Sequence, residues 1–271
     1  ISGNDTNIRG SNIAVGGALI ADSTGDLTIE SVEDSTYNYY ANYKRGSFGR
    51  RSKSISESTK ITNVASNIEA AGGINANSAG DINIKASKLK SLVGDINITA
   101  ANALNIISAS DSLESQTISS RSGLTTRTNS STINNVITQI ASDISAENGN
   151  LSLLSGDDTT IIASDISGND INIKVGSYID EATNTEAINN DATLNVLNAM
   201  DSEYNYEYRS KIGMDGVAIA VGAVTGGGLG IYMGAQAQKG NINVKESYDE
   251  TTVESNITAE NNLNIKSASD I

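Results

Sequence analysis

Short phrases in which Ile alternates with Asn return along this chain at near-constant spacing, and that recurrence restricts the fold more than any other feature. Asp81-Ile82-Asn83-Ile84-Lys85 and Asp95-Ile96-Asn97-Ile98-Thr99 alternate strictly, which sends Ile to one side of an extended strand and Asn to the other. Ile82 to Leu104, Ile84 to Ile106 and Ile144 to Ile166 are all steps of 22 residues. Ser-x-Ile/Leu marks a similar beat at Ser66–Ile68, Ser87–Leu89, Ser142–Ile144, Ser164–Ile166 and Ser255–Ile257. Inside one such unit the apolar beats Ile68, Ile74, Ile82 and Leu89 leave sides of 6, 8 and 7 residues, or three short strands per turn. Gly80-Asp81, Gly94-Asp95 and Asn102-Ala103 supply corners, because Gly and Asn tolerate positive φ. The spacing predicts an all-β fold, a right-handed parallel β-helix of about 20–22-residue coils stacked roughly 4.8 Å apart.

A longer unit overlies the short one. Leu-x-Ile/Val begins at Leu27, Leu104, Leu194 and Leu263, in steps of 77, 90 and 69 residues. The opening phrase Ile1–Ile8 returns almost unchanged at Ile166–Ile173, which reads as the chain entering in mid-repeat. Three segments, about 35–60, 112–135 and 198–250, break the rhythm and read as β-hairpin insertions in a single β-helix spanning 1–271. Inner strands of a solenoid use every N–H in the ladder between coils, and the chain has no Pro.

Composition removes whole classes of function. Without Cys there is no disulfide framework and no thiolate metal site, and without His no imidazole base, His-based triad or His-based metal site. No cofactor is expected. A formal net charge of −14 argues against nucleic acid as a partner, since phosphate backbones need a basic footprint. Aromatic residues are only 4%, with one Phe and no Trp, so the core must be built from Ile, Leu, Val and Ala.

Four phrases in order carry a resemblance: Ser-Asn-Ile-Glu-Ala-Ala-Gly-Gly-Ile at 66–74, Ala-Gly-Asp-Ile-Asn-Ile-Lys-Ala-Ser at 79–87, Gly-Asp-Ile-Asn-Ile-Thr-Ala at 94–100 and Leu-Asn-Ile-Ile-Ser-Ala-Ser-Asp-Ser at 104–112. They resemble the haemagglutinin repeats of filamentous-haemagglutinin-like exoproteins, which are secreted by two-partner systems and include the contact-dependent growth-inhibition proteins. The resemblance implies a rod on a bacterial surface with an adhesive or delivery role and no enzymatic site in the rod. It also implies two partners, an outer-membrane transporter and a target-cell surface of glycan, protein or outer membrane.

The insertions hold the candidate contact residues. Tyr37, Tyr39, Tyr40 and Tyr43 stand beside Lys44, Arg45, Arg50, Arg51 and Lys53, which gather five of the eighteen cations into ten residues. Arg forks and aromatic stacking suit sulfated glycan or lipopolysaccharide phosphate. The plainer alternative is a hairpin tip kept soluble by its charge. Tyr204, Tyr206 and Tyr208 echo the first arm, and both arms carry Tyr-Asn-Tyr after an Asp-Ser-x corner. Val217, Ile219, Val221, Leu229 and Ile231 flank a Gly-rich turn in a hairpin suited to membrane contact or to packing on the rod's flank. Adjacent acids at Glu33-Asp34, Asp157-Asp158, Asp180-Glu181 and Asp249-Glu250 raise the other function class, a polysaccharide-processing enzyme of the lyase or tailspike kind. Carboxylates that act on glycosidic bonds face each other across a cleft, which neighbours on one strand do not.

Overall fold

A computed structural model describes residues 2–123, 125–180, 185–213 and 240–269. The chain is a parallel β-helix. It opens with β1 (Ser2–Gly3) and β2 (Thr6–Arg9), then makes a full turn as β3 (Asn12–Val15), β4 (Leu19–Ser23) and β5 (Leu27–Glu30). From there it leaves the rod as a long hairpin, β6 (Val32–Arg45) and β7 (Arg51–Val64). Two turns follow without interruption: β8 (Asn67–Ala70), β9 (Ile74–Ser78) and β10 (Ile82–Lys85), then β11 (Lys88–Ser91), β12 (Ile96–Ala100) and β13 (Leu104–Ile107). The second hairpin is β14 (Ala109–Ser122) and β15 (Arg127–Ile140). Next come β16 (Asp143–Ala146), β17 (Leu151–Ser155) and β18 (Thr159–Ile162), and β19 (Asp165–Val175), whose two halves serve two faces. A small hairpin, β20 (Ser177–Asp180) and β21 (Thr185–Ile188), precedes β22 (Leu194–Leu197), the third long hairpin β23 (Ala199–Ile212) and β24 (Gly240–Val253), and β25 (Asn256–Ser267).

Three parallel faces result. One stacks β3, β8, β11, β16, the first half of β19 and β25; the second stacks β1, β4, β9, β12, β17, the second half of β19 and β25; the third stacks β2, β5, β10, β13, β18 and β22. Equivalent residues lie 20–22 apart where a turn has no hairpin, as Asn75–Asn97, 55 apart across each of the first two long hairpins, as Asn12–Asn67, and 91 apart across the third, as Asp165–Asn256. Ile82, Ile84, Ile96, Ile98, Leu104 and Ile106 are all fully buried, in columns such as Leu27–Ile82–Leu104 and Ile74–Ile96–Leu151. Each buried Ile or Leu contributes roughly 1.5–3 kcal/mol, and the close stacking makes a single core along the rod.

The polar beats are also used. Asn105 Nδ2 donates to Asn83 Oδ1 at 2.9 Å and Asn97 Nδ2 to Asn75 Oδ1 at 2.9 Å, so outward Asn side chains form ladders parallel to the core. The Ser of each Ser-x-Ile/Leu phrase is an inner corner post. Ser66 N–H donates to Ser87 Oγ at 3.3 Å and Ser87 N–H to Ser142 Oγ at 3.4 Å, while these hydroxyls donate to strand-end carbonyls, as Ser87 does to Lys85 at 2.9 Å. Where no hairpin leaves, the residue before this Ser sits in the left-handed region: Gly10 at φ 52°, Ala86 at φ 45° and Ala163 at φ 44°.

Two equivalences read from the sequence need correction. Leu263–Ile265 pairs with Ile171–Ile173 on the second face, whereas Leu27, Leu104 and Leu194 share the third. The repeated opening phrase is likewise split, because Thr6–Arg9 lies on the third face and Ile171–Lys174 on the second. Alternation reports which side of a strand faces inward. It does not report which of three faces the strand belongs to.

Candidate functional site: a lateral sheet with a basic rim

The three long hairpins leave the rod after β5, β13 and β22, always at the end of a third-face strand. They come from every second turn, and each contributes two strands. Two coils and two strands both span about 9.6 Å at the shared spacing near 4.8 Å, so consecutive hairpins meet edge to edge. They form one antiparallel sheet ordered β24-β23-β15-β14-β7-β6. A strand of 14 residues carries the tips roughly 45 Å outward. The hairpins start closer to the rod than 35–60 and 112–135, because Val32–Val64 and Ala109–Ile140 pair down to the corner.

Cross-strand register places the site residues. Directly opposed residues share a face, so Tyr37, Tyr39 and Tyr43 fall on the same face as Tyr204, Tyr206, Tyr208 and Tyr248. Tyr40 projects from the other face, among Ser, Thr and Asn. Tyr37, Tyr39, Tyr40 and Tyr43 are 56–65% exposed. Tyr204, Tyr206 and Tyr208 are not a free contact surface: they are 9%, 7% and 6% exposed and cluster with Ile133. Burial pushes the Tyr204 and Tyr206 phenols above their usual range, and Tyr204 also donates to Glu246 at 3.1 Å. Tyr208 Oη and Ser210 Oγ are buried with no hydrogen-bond partner among the described residues. Val217, Ile219, Val221, Leu229 and Ile231 lie outside the described residues.

The structure enlarges the basic cluster. Arg45, Arg51, Ser122, Arg127 and Ile212 form one transverse row, and Lys44, Ser52, Arg121, Thr128 and Lys211 the next. With Arg50, Lys53 and Arg209, nine of the chain's eighteen cations occupy the distal rim. Segments 41–55, 118–131, 208–212 and 240–244 contain no Asp or Glu. Arg45 and Arg51 stand directly opposite each other, an arrangement that costs stability. Lys53 lies 5.5 Å from the Tyr43 ring centroid, within cation–π range, and Arg209 pairs with Glu207. Arg121, Arg127, Arg209 and Lys211 were not singled out from the sequence, where they stand apart. Only the pairing of β7 with β14 and of β15 with β23 brings them beside the first cluster.

Three of the adjacent acids have structural partners, and Glu181 lies outside the described residues. Asp158 Oδ1 accepts from the Thr193 N–H at 2.7 Å, Asp157 Oδ1 accepts from Asn189 Nδ2 at 3.1 Å, and Tyr248 donates to Glu250. Equivalent corner carboxylates repeat along the rod, with Asp26 Oδ1 accepting from Asp81 N–H at 2.9 Å and Asp81 Oδ1 from Ala103 N–H at 3.1 Å.

Family comparison agrees with this geometry. The hemagglutinin-repeat model matches residues 1–47, 45–124 and 120–180. The chain belongs to the hemagglutinin-repeat family. Its filamentous-haemagglutinin-like repeat is bounded by hairpin tips, since the junctions near 45–47 and 120–124 fall at the ends of β6 and β14. The middle match, 45–124, therefore holds one returning arm, two coils and one outgoing arm. No curated protein and no solved structure matches the chain significantly. The hemagglutinin-repeat family is one of secreted surface adhesins with a structural role, in a two-partner-secretion context.

Proposed function

We propose that this chain is a non-enzymatic rod segment of a secreted bacterial surface exoprotein that touches its target through the rim of the lateral sheet. The carrying observation is the concentration of nine cations at the distal ends of the described hairpin strands, where only Arg209 has an acid against it, Glu207, in a chain of net charge −14. A tip needing charge only for solubility gains nothing from opposed Arg45 and Arg51, whereas an anionic partner relieves their repulsion. Guanidinium forks suit phosphate and sulfate, and exposed Tyr43 and Phe48 add stacking area beside them. Export through an outer-membrane two-partner transporter accounts for the rod's reaching the surface.

The test is a variant carrying Arg45→Ser, Arg51→Ser, Arg121→Ser and Arg127→Ser. Serine is already frequent on these strands, so circular dichroism should match the parent. Binding to outer-membrane vesicles and to a sulfated glycosaminoglycan, each measured at low and high salt, should fall at least 10-fold. Parental binding and parental salt sensitivity in the folded variant would overturn the reading. Retained binding to one ligand alone identifies the other as the rim's partner.

A further inference from the structure

A separate feature lies on the aromatic face, proximal to the rim. Two transverse rows cross the sheet there: Tyr39, Glu57, Gln116, Ile133 and Tyr206, then Tyr37, Thr59, Glu114, Asn135 and Tyr204. The two Tyr-Asn-Tyr strands thus stand four strand spacings apart, about 19 Å, on either side of a polar strip. The strip opens as a trough of about 250 Å³ lined by Tyr37, Glu57, Glu114, Gln116, Ile133 and Asn135.

Its chemistry is unspent. Among the described residues, the side chains of Glu57, Glu114, Gln116 and Asn135 make no hydrogen bond or ion pair, and Glu57, Gln116 and Asn135 are half-buried. Their polar atoms reach solvent in the open trough, so they are free to exchange water for the polar groups of a ligand. None of the residues lining the trough is a cation; Lys60, next to Thr59, points from the other face, and the nearest cation of β7 on this face, Lys53, lies against the Tyr43 ring. Two carboxylates in one trough repel sulfate and phosphate and attract an amine. The Tyr37 ring, 62% exposed, offers its face to a cation or to the C–H face of a sugar. The amides of Gln116 and Asn135 can donate to and accept from hydroxyls.

We infer that this trough binds an amine-bearing glycan, a sugar with an unacetylated amino group held between Glu57 and Glu114, its ring against Tyr37 and its hydroxyls on Gln116 and Asn135. The site is distinct in place and in charge from the basic rim, and it goes beyond the proposed function.

Titration calorimetry with a glucosamine trisaccharide tests it, in a mildly acidic buffer that keeps the amines protonated and the carboxylates ionised, with the N-acetylglucosamine trisaccharide as control. The chain should bind the amine form at least 10-fold more tightly than the acetylated form. Glu57→Gln with Glu114→Gln should abolish that preference, and Tyr37→Ala should weaken binding of the amine form at least 5-fold. Arg51→Ser with Arg127→Ser should leave trough binding unchanged while weakening anion binding, which separates failure of this inference from failure of the rim reading. Equal binding of both sugars, binding of neither, or a preference that survives the double glutamine variant would overturn it.

Discussion

Asp143 shows how a solenoid makes one residue's neighbours the same position in other turns. Its column runs Asn67, Lys88, Asp143, Asp165 and Asn256 up the first face. Burial, helped by Asp165 above and opposed by Lys88 below, raises its carboxyl above the usual range. The folded state therefore holds this proton more tightly than the unfolded chain, and stability falls as pH rises from the ordinary Asp range through the raised value. At neutral pH the ionised group is a liability. Asn at this position can donate to Asp165, as Asn256 already does at 2.9 Å. Asp143→Asn is expected to stabilise by about 0.2–1 kcal/mol at pH 7, with the gain shrinking towards pH 3. Denaturant melts at the two pH values check this, and a variant no more stable than the parent at pH 7 would count against it. At this scale the sequence was readable, because Ile82, Asn83 and Ile84 announce their orientation by alternation alone. The part that stayed hidden was the use made of polar residues, since Ser87 and Asn105 reveal nothing of their ladders until the 22-residue register is known.

At the scale of an element, the corner between the third and first faces has two interchangeable forms. In the short form a single residue with positive φ, Ala86 or Ala163, joins Lys85 to Ser87 or Ile162 to Ser164. In the long form the same corner admits a hairpin, as between Ile107 and Ser142. Both forms end on the same kind of Ser, whose hydroxyl takes the strand-end carbonyl: Ser87 on Lys85 at 2.9 Å, Ser142 on Ile107 at 2.8 Å. Replacing residues 108–141 by one Ala should therefore keep a folded rod with a cooperative melt and a β signature in circular dichroism. It should also split the six-stranded sheet, leaving the facing edges of β7 and β23 without their partners and raising aggregation through them. Collapse of the rod signature would show that the lateral sheet holds the coils together. The sequence marks each arm by its Tyr and Ser runs, yet the joining of three arms is invisible in it. Edge-to-edge pairing leaves no local pattern, and Arg121 and Lys211 are 90 residues apart while lying two strands from each other.

At the scale of the whole molecule, the match between two strands per hairpin and two coils per hairpin keeps all three arms on one corner of the rod. The proposed contact groups among the described residues therefore accumulate along a single azimuth, like teeth on a comb. Chains of anionic sugar laid parallel to the axis meet successive tips about 10 Å apart, while chains laid across it meet one. Each added contact is then intramolecular, with an effective concentration set by the rigid spacing of the tips. A sulfated oligosaccharide series should accordingly gain affinity steeply with length until it spans the roughly 19 Å from β6 to β23, and much more slowly beyond. Affinity that is flat with length would refute this arrangement. If the rim is the contact surface proposed above, a filament built this way grips by avidity, so it can be peeled from one end although it resists being pulled straight off, and the period of the core sets the valence of its grip.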